Sequence, residues 1–272
     1  MKTTKLIAFT YRRLKYYLKI WLMMSKNAFI VVLTDKKILL IFLFGKILRF
    51  SFFITFLFFI VKDAKGLAGY SVNEAILFFL TFMLIDTIAQ FFFREVYRFR
   101  PLVISGDFDL ILLKPMSPLV RVLTGGADVI DLITIPPLLV ATYFVGSLLS
   151  PNFTQVVHYL LLILNGLVIA TAFHVAVISL GIITLEIDNT VMIYRDITSM
   201  GRFPIDIYKQ PIRDVLTFII PVGIMITLPT KAMLGKAGDI AIVFSLVIGV
   251  LLFYLSLRFW SYALKRYTSA SS

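Results

Sequence analysis

The chain has 272 residues, of which 60% are hydrophobic and only 15% are charged, and its mean hydropathy is +0.94. Soluble domains are about half apolar and about a quarter charged, so a single water-exposed globule is excluded and lipid must surround much of the chain. Without cysteine, neither a disulfide framework nor a thiolate metal site can form. We attribute the net charge of +12 to basic residues flanking membrane spans, and not to nucleic-acid binding.

The first predicted element is an amphipathic helix within residues 1–37. Apolar side chains such as Leu14, Leu18 and Trp21 recur at spacings of three and four among lysines and arginines. A helix with this composition is expected to lie along the anionic cytoplasmic leaflet and not to cross the membrane. Its long basic region, mixed with aromatic residues, is unlike a cleavable signal peptide.

Runs of roughly 20 apolar residues predict the membrane spans. They occur at 38–61, 74–93, 127–149, 156–184 and 239–262. Lysine and arginine number nine in residues 1–37, five in 94–121 and three in 258–266, but two in 62–75 and none in 148–157. Because positive residues concentrate on the cytoplasmic side, both termini and the 94–121 loop are predicted to be cytoplasmic.

One further crossing is expected between residues 185 and 238, because termini on the same side require an even number of spans. Hydropathy favours 215–229, although this segment is short and contains two prolines. The alternative, 186–203, is more polar, and as a helix it would carry one polar stripe: Asp188, Arg195, Thr198, Ser199 and Arg202. Such a helix either crosses the membrane with its stripe towards a polar cavity or lies at the cytoplasmic surface.

No motif in the chain predicts catalysis. There is no Gly-x-x-x-x-Gly-Lys phosphate loop, no nucleophile elbow and no His-Glu-x-x-His zinc pair. The two histidines, His158 and His174, are isolated in apolar surroundings, so no metal site is predicted. Asp128 and Asp131 are candidates to pair with Arg121 or Lys114, as ordinary interfacial residues.

Three stretches carry a resemblance to a known family. In "ISGDFDLILLKPMSP" the matching residues are Ile104, Gly106 (one position closer than usual), Asp109, Leu112, Pro115 and Pro118, while Phe108 replaces the common leucine. In 200–235 they are Arg202, Pro204, Ile207, Tyr208, Pro211, Arg213, Phe218, Pro221, Pro229 and Gly235. The third is the Arg-Tyr-Thr near the C-terminus. Together these stretches resemble bacterial ABC transporter permeases of the six-span, type-2 exporter class, which usually pair two unlike permeases with one ATPase.

The resemblance implies an all-α membrane fold in one domain, residues 1–272. It implies six transmembrane helices after the interfacial helix, with 186–203 as the fifth. Residues 204–238 would form an extracytoplasmic re-entrant segment, in which Pro204, Pro211, Pro221 and Pro229 break the helices. The polar stripe, from Asp188 to Arg202, would then face the transport pathway, with Arg195 near the membrane midplane and Arg202 near the exterior.

The resemblance also implies that the 94–121 loop couples to an ATPase. The coupling residues would be Gly106, Asp107, Phe108, Asp109, Leu112, Lys114 and Pro115. Gly106 would permit a tight turn, an aspartate would cap the following helix, and Phe108, Leu110, Ile111 and Leu112 would form an apolar knob for a groove in the ATPase. Pro115 would end the helix.

The implied partners are an ABC ATPase dimer that binds ATP and Mg²⁺, a second homologous permease and membrane lipids, without nucleic acid. The chain itself is expected to hold no cofactor and to lie in a bacterial cell membrane. A membrane-embedded lipid-modifying enzyme and a passive channel subunit are the alternatives. The substrate stays open, since the 26 phenylalanines and 12 tyrosines suit amphipathic cargo and lipid contact equally well.

Overall fold

A computed structural model of the protein describes residues 2–63, 67–184 and 187–268, including their side chains except those of 2–11 and 187–189. In chain order the first helices are α1 (Lys2–Thr34), α2 (Lys36–Asp63), α3 (Val72–Phe93), α4 (Phe99–Ile104), α5 (Asp107–Leu112) and α6 (Pro118–Thr124). They are followed by α7 (Val129–Leu148), α8 (Phe153–Thr184), α9 (Ile187–Ser199), α10 (Ile212–Asp214), α11 (Leu228–Met233) and α12 (Asp239–Lys265). Since no strand occurs among the described residues, the predicted all-α class is confirmed.

Six helices among the described residues are long and apolar enough to cross a membrane. They are Arg12–Thr34, Lys36–Asp63, Val72–Ile104, Val129–Leu148, Phe153–Thr184 and Asp239–Lys265. The last five correspond to the spans predicted from apolar runs, which confirms a multi-span membrane fold. The first belongs to the helix predicted to lie along the membrane surface.

The long helices run between two ends of the bundle. At the end that we call the basic end, α3 and α8 finish near the 94–124 segment, and Trp260 and Ala263 of α12 join the same apolar cluster as Val96 and Ile178. At the opposite end, Lys236 just before α12 forms an ion pair with Glu74 in the first turn of α3, with 2.6 Å between Nζ and Oε1.

Two of these helices begin at side-chain caps that the sequence encodes. Ser71 and Glu74 form a reciprocal capping box at the start of α3, in which each side chain satisfies a backbone N–H that the helix leaves free. Asp128 caps α7 by accepting the N–H groups of Ile130 and Asp131 at 2.7 and 3.1 Å. The starts of α3 and α7 are therefore fixed locally, at opposite ends of the bundle.

Helix α1 contacts the rest of the protein at the basic end. Trp21 stacks on Phe92, in the last turn of α3, with 5.7 Å between ring centroids. The Ala127 N–H, just before α7, donates to Ser25 Oγ at 3.0 Å. These contacts join α1 to the last turn of α3 and to the start of α7, and the position of α1 along the membrane surface stays a prediction.

The segment that follows α8 leads from the basic end to the opposite end. Helix α9 starts next to the end of α8, and its Tyr194 ring lies 5.4 Å from that of Phe173. The 3-10 turns Met200–Arg202 and Ile205–Ile207 continue it. Asp206 then accepts a hydrogen bond of 2.9 Å from Tyr70, immediately before α3. Helix α9 is not among the helices long and apolar enough to cross a membrane, so the crossing that the resemblance assigned to 186–203 stays a prediction.

Residues 212–233 form two short helical pieces, Ile212–Ile219 and Gly223–Met233, bent by 78° where they meet at Pro221. Met225 in the second piece packs against Gly166, in the interior of α8, where an added Cβ would lie 2.7 Å from its carbonyl oxygen. Six residues later, Lys231 is back beside Asp206, with 2.8 Å between Nζ and the carboxylate. A bent pair of this kind forms either a broken span or a re-entrant segment, so the re-entrant arrangement of 204–238 stays a prediction, and we refer to residues 212–233 below as the predicted re-entrant segment.

The segment from α9 to Tyr208, which we call the crossing segment, packs closely against residues 212–233, the predicted re-entrant segment. A Cβ on Gly201 would lie 2.5 Å from Ile226 Cδ1 and 2.9 Å from Val222 Cγ1. The Tyr208 hydroxyl donates to the Met200 carbonyl at 3.0 Å. The two segments therefore form one rigid unit in the interior of the protein.

The four prolines predicted to break this region occupy different positions. Pro204 precedes the turn Ile205–Ile207, Pro211 follows a cis peptide bond and precedes α10, Pro221 lies at the 78° bend, and Pro229 is in the first turn of α11. Each stands at or near a helix start or a break, which are the places that tolerate a missing N–H.

Candidate coupling segment and central cleft

The segment 94–124 is a compact set of short helices and not an extended loop. A 3-10 turn (Arg94–Arg98) leads into α4, and Gly106 joins α4 to α5. Gly106 has φ 80°, a left-handed conformation that glycine adopts without strain. The tight turn predicted at this residue is therefore present.

Phe108 anchors the segment to the membrane helices. Its side chain is 0% exposed, and its ring lies 5.1 Å from Phe99, 5.0 Å from Tyr267 and 6.5 Å from Trp260. Burial of such a ring stabilises the attachment by about 2–3 kcal/mol. Phe108 is therefore not part of an exposed knob, contrary to the sequence-based expectation, because α4, α12 and the C-terminal tail enclose it.

The exposed apolar surface of this segment is formed by other side chains. Ile104, Leu110 and Leu113 are 58%, 59% and 82% exposed, whereas Ile111 is buried and Leu112 is half-buried. Lys114 and Pro115 are exposed next to Leu113. An exposed apolar surface is therefore present, but Ile104 and Leu113 belong to it in addition to the predicted Leu110. Phe108 and Ile111 do not, because they form the inward face of α5.

The two aspartates of α5 do not cap it. The residue before the helix is Gly106, without a side-chain cap, while Asp107 accepts a hydrogen bond of 2.7 Å from Ser105 Oγ. Asp109 faces Tyr267 of the C-terminal tail. Burial, together with the carboxylate of Asp109, raises the pKa of the Tyr267 hydroxyl to about 12. The predicted capping role of these aspartates is therefore wrong, and Asp109 links the segment to the tail.

Asp128 and Asp131 pair with other residues than the sequence suggested. Asp128 binds Arg94, at 2.8 Å between Oδ2 and Nη1, and Asp131 forms an ion pair with Lys46 of α2. Asp131 is 2% exposed, so the pair connects α2 to α7 inside the protein. Arg121 pairs instead with Glu95, at 3.3 Å.

A polar cleft, which we call the central cleft, lies in the interior between α2, α3 and the segment from α9 to Arg202. It encloses about 760 Å³, including its open mouth. Its lining residues are Lys46, Arg49, Phe50, Phe53, Phe79, Phe82, Met83, Asp86, Thr87, Gln90, Arg195, Ser199 and Arg202. On each helix they follow spacings of three and four, so each helix presents one face to the cleft.

Three arginines dominate the charge of this central cleft. The Arg202 guanidinium carbon lies 5.5 Å from the Phe82 ring centroid and 5.9 Å from that of Phe53, which is cation–π distance. Arg195 lies 5.7 Å from the ring of Tyr97. Among the side chains that the structure describes, neither of these arginines, nor Arg49, forms an ion pair.

A model of the family described as "ABC-2 family transporter protein" matches residues 47–271, most of the chain. The chain belongs to the ABC-2 transporter family. It is therefore a multi-pass membrane protein and the membrane component of a transporter. The match includes both α9 and the re-entrant segment. No curated protein and no solved structure matches the chain.

The structure brings together part of the predicted pathway stripe of this ABC-2 protein. Arg195, Ser199 and Arg202 line the central cleft. Thr198 does not, since it is 5% exposed and its hydroxyl donates to the Tyr194 carbonyl at 2.7 Å. The side chain of Asp188 lies outside the described residues.

The two arginines lie at different levels along α3, and their predicted depths in the membrane stay predictions. Arg202 lies beside Phe82, halfway along α3, whereas Arg195 lies beside Tyr97, beyond the end of α3. The reason is that 3-10 turns extend the crossing beyond Ser199 and carry the chain on to Asp206. Relative to α3, Arg202 is thus the more central of these two cations of the ABC-2 protein.

Sequence reasoning missed the contribution of α2 and α3 to the cleft. Asp86 lines it and accepts a hydrogen bond of 2.7 Å from Gln90, and Arg49 faces it from α2. The signal was present, because ionisable residues within a membrane span usually mark a functional site. Among the described residues, no three His, Cys, Asp or Glu side chains are grouped as metal ligands would be.

Proposed function

We propose that this chain is the permease subunit of an ATP-driven exporter in a bacterial cell membrane. It works with a separate ABC ATPase, which binds ATP and Mg²⁺, and with a second homologous permease. The observation that carries the proposal is membership of the ABC-2 family over residues 47–271. The helices long and apolar enough to cross a membrane support this role.

In this proposal the basic end faces the cytoplasm, where the ATPase binds the 94–124 segment. A coupling element must be rigidly joined to the membrane helices on one side and exposed on the other. The buried ring of Phe108 supplies the rigid side, and Ile104, Leu110 and Leu113 supply the exposed side. A movement of the ATPase would thus be transmitted through Phe108 to α12 and the end of α3.

The transport pathway would include the central cleft. Unpaired arginines in a membrane span are costly, by at least about 2.5 kcal/mol each, unless they face water, a polar ligand or a partner. Arg202 meets this condition, because it lines an open cleft halfway along α3. Helix α2, which forms one wall of the cleft, has an exposed apolar outer face and is available for the second permease or for lipid.

Leu110→Asp combined with Leu113→Asp tests the coupling surface. If these leucines occupy a groove of the ATPase, the pair of changes is expected to weaken the complex about a hundredfold, since each buried anchor contributes about 1–2 kcal/mol. The measurement is co-purification of the full chain with an ABC ATPase subunit from the same organism, after co-expression of the two. ATP hydrolysis by the purified complex is the second readout.

Leu110→Met combined with Leu113→Met is the matched control, because it keeps the two positions apolar and should retain the complex. An aspartate variant that still binds the ATPase and stimulates it normally would show that the segment is not the coupling surface. ATP hydrolysis that never depends on this chain would contradict the exporter proposal itself and favour a membrane-embedded enzyme or a channel.

A further inference from the structure

The central cleft does not stand alone. A second pocket, of about 610 Å³ including its open mouth, lies between α2, α3 and α7, and its lining is apolar except for Lys46 and Thr134. Lys46, Phe50 and Met83 line both cavities. The two cavities are therefore neighbours, one with a cationic lining and the other with an apolar lining.

The cationic part has a net positive charge, even when each ion pair within it is treated as neutral. Lys46 is neutralised by Asp131, its partner on α7. That leaves Arg49, Arg195 and Arg202 opposite one carboxylate, Asp86. Guanidinium groups bind phosphate and carboxylate through paired, charge-assisted hydrogen bonds, so this part is complementary to an anionic group and not to a cation.

The apolar part is large enough for a hydrocarbon chain and unsuited to a small hydrated anion. Ile47, Pro137 and Leu138 form its walls beyond the shared residues. An inorganic anion would use only the arginines and would leave this pocket unexplained. An uncharged lipid would use only the pocket and would leave the arginines unpaired.

We propose that the two cavities bind one anionic amphiphile, with its charged headgroup at the three arginines and its hydrocarbon chain in the α2–α3–α7 pocket. The inference rests on the proposed transport function and deepens it by naming the class of molecule that enters the pathway. A membrane phospholipid and a water-borne amphiphilic cargo share this chemistry.

Binding is tested with the purified full chain in lipid nanodiscs and by native mass spectrometry. The first arm compares phosphatidylglycerol with phosphatidylcholine of the same acyl chains, and it reports on a membrane source. The second arm adds decyl phosphate or decyl maltoside from water, and it reports on a water-borne source. We expect the anionic member of at least one pair to bind about tenfold more tightly, as charge-assisted hydrogen bonds to arginine require.

Variants locate the two parts of the site. Arg202→Gln combined with Arg49→Gln should abolish the preference for the anionic member, whereas Arg202→Lys should retain part of it. Leu138→Trp, which fills the apolar pocket, should weaken binding of decyl phosphate but not of inorganic phosphate. Arg258→Gln is the control, because Arg258 is an exposed arginine on α12 that does not line either cavity.

Preference in the first arm alone assigns the ligand to the bilayer, and preference in the second alone assigns it to the aqueous phase. Equal binding of anionic and uncharged members in both arms overturns the proposal, as does a preference that survives the double arginine change in a folded protein. Binding by the purified chain needs no ATPase. Its failure therefore contradicts this inference only, and failure to assemble with an ATPase contradicts the proposed function only.

Discussion

Helices α8 and α2 are almost equally apolar, but their surroundings differ. Their most apolar stretches have mean hydropathies of 2.3 and 2.0, yet 61% of that stretch is buried in α8 and only 6% in α2. The two helices also differ in the size of their side chains. Helix α8 has Gly166, Ala170 and Ala172 at buried positions, whereas α2 is dominated by phenylalanines with exposed rings such as Phe42 and Phe52.

Small residues let helix backbones approach within a membrane, where no hydrophobic force draws helices together. For that reason α8 is packed on its own chain, against α3, α12 and the re-entrant segment. Helix α2 instead presents its large side chains outward, to lipid or to the second permease proposed above. Hydropathy identifies both helices as membrane spans, and the buried small residues distinguish α8 from α2.

The comparison predicts opposite outcomes for the same change in the two helices. Gly166→Leu is expected to lower the free energy of unfolding by about 3 kcal/mol, since overpacking against backbone cannot be relieved by side-chain rotation. An added Cβ there would lie 2.7 Å from the Met225 carbonyl oxygen and 3.0 Å from Ile85 Cδ1. The measurement is thermal unfolding of the full chain in detergent.

Gly45→Leu in α2 is the matched control, because nothing lies within 4 Å of a Cβ at that position. Its stability should stay within about 0.5 kcal/mol of the parent, as for most exposed substitutions. Equal destabilisation by both changes would mean that α2 is packed as tightly as α8, and the contrast between the two helices would fail.

The ion pair between Lys46 and Asp131 is the main polar link of α2 to the packed part of the protein. Lys46→Met should cost about 2 kcal/mol, less than for a fully buried pair, because part of the lysine is exposed. The cause is the uncompensated carboxylate of Asp131. Adding Asp131→Leu should restore most of the stability, which a double-mutant cycle measures.

Lys37→Met, at the exposed start of α2, is the control for loss of one lysine and should have little effect. A double variant as unstable as Lys46→Met alone would contradict the expectation, because it would show that the lost stability does not come from the orphaned carboxylate.

The smallest expected effect concerns the attachment of the 94–124 segment to the C-terminal tail. The pKa of Tyr267 rises from 10.0 to about 12 on folding. Its contribution to stability is thus fully present below pH 10 and is lost as the pH rises towards 12. Since the residue is partly solvated, we expect the loss to be about 1 kcal/mol.

Unfolding midpoints of the parent and of Tyr267→Phe, compared across this pH range, isolate that contribution. The parent should lose more stability than the variant, because phenylalanine packs on Phe108 without a titrating hydroxyl. An identical pH dependence would indicate that the hydroxyl is solvated in the folded protein.

Much of the fold was predictable, because the bilayer requires long apolar runs for its spans and favours lysine and arginine on its cytoplasmic side. Five spans match helices of the structure. The crossing at 186–203 was not decided by hydropathy, since α9 has only 13 residues and its polar face looks like that of a surface helix. Its assignment comes from the resemblance alone and stays a prediction, and the contact between Asp206 and Tyr70 shows only that the chain reaches the opposite end of the bundle after α9.

The candidate sites were predicted less well, for two physical reasons. Amphipathic spacing on a six-residue helix does not show which face is inward, so Phe108 was placed outside and Leu113 was overlooked. The cleft is made by three helices that are distant in sequence, and a single stripe such as Arg195–Arg202 shows only one wall. Arg49 and Asp86 complete it, and no spacing along the chain connects them.

The close packing at Gly201 determines which wall of the cleft is able to move. The crossing segment is locked to the re-entrant segment at that glycine, so neither one can slide without displacing Ile226 and Val222. Helix α2 has few such contacts, and only Asp35 separates it from α1. We therefore expect the cleft to open by rotation of α2 about Asp35, while the wall that carries Arg195 and Arg202 stays fixed.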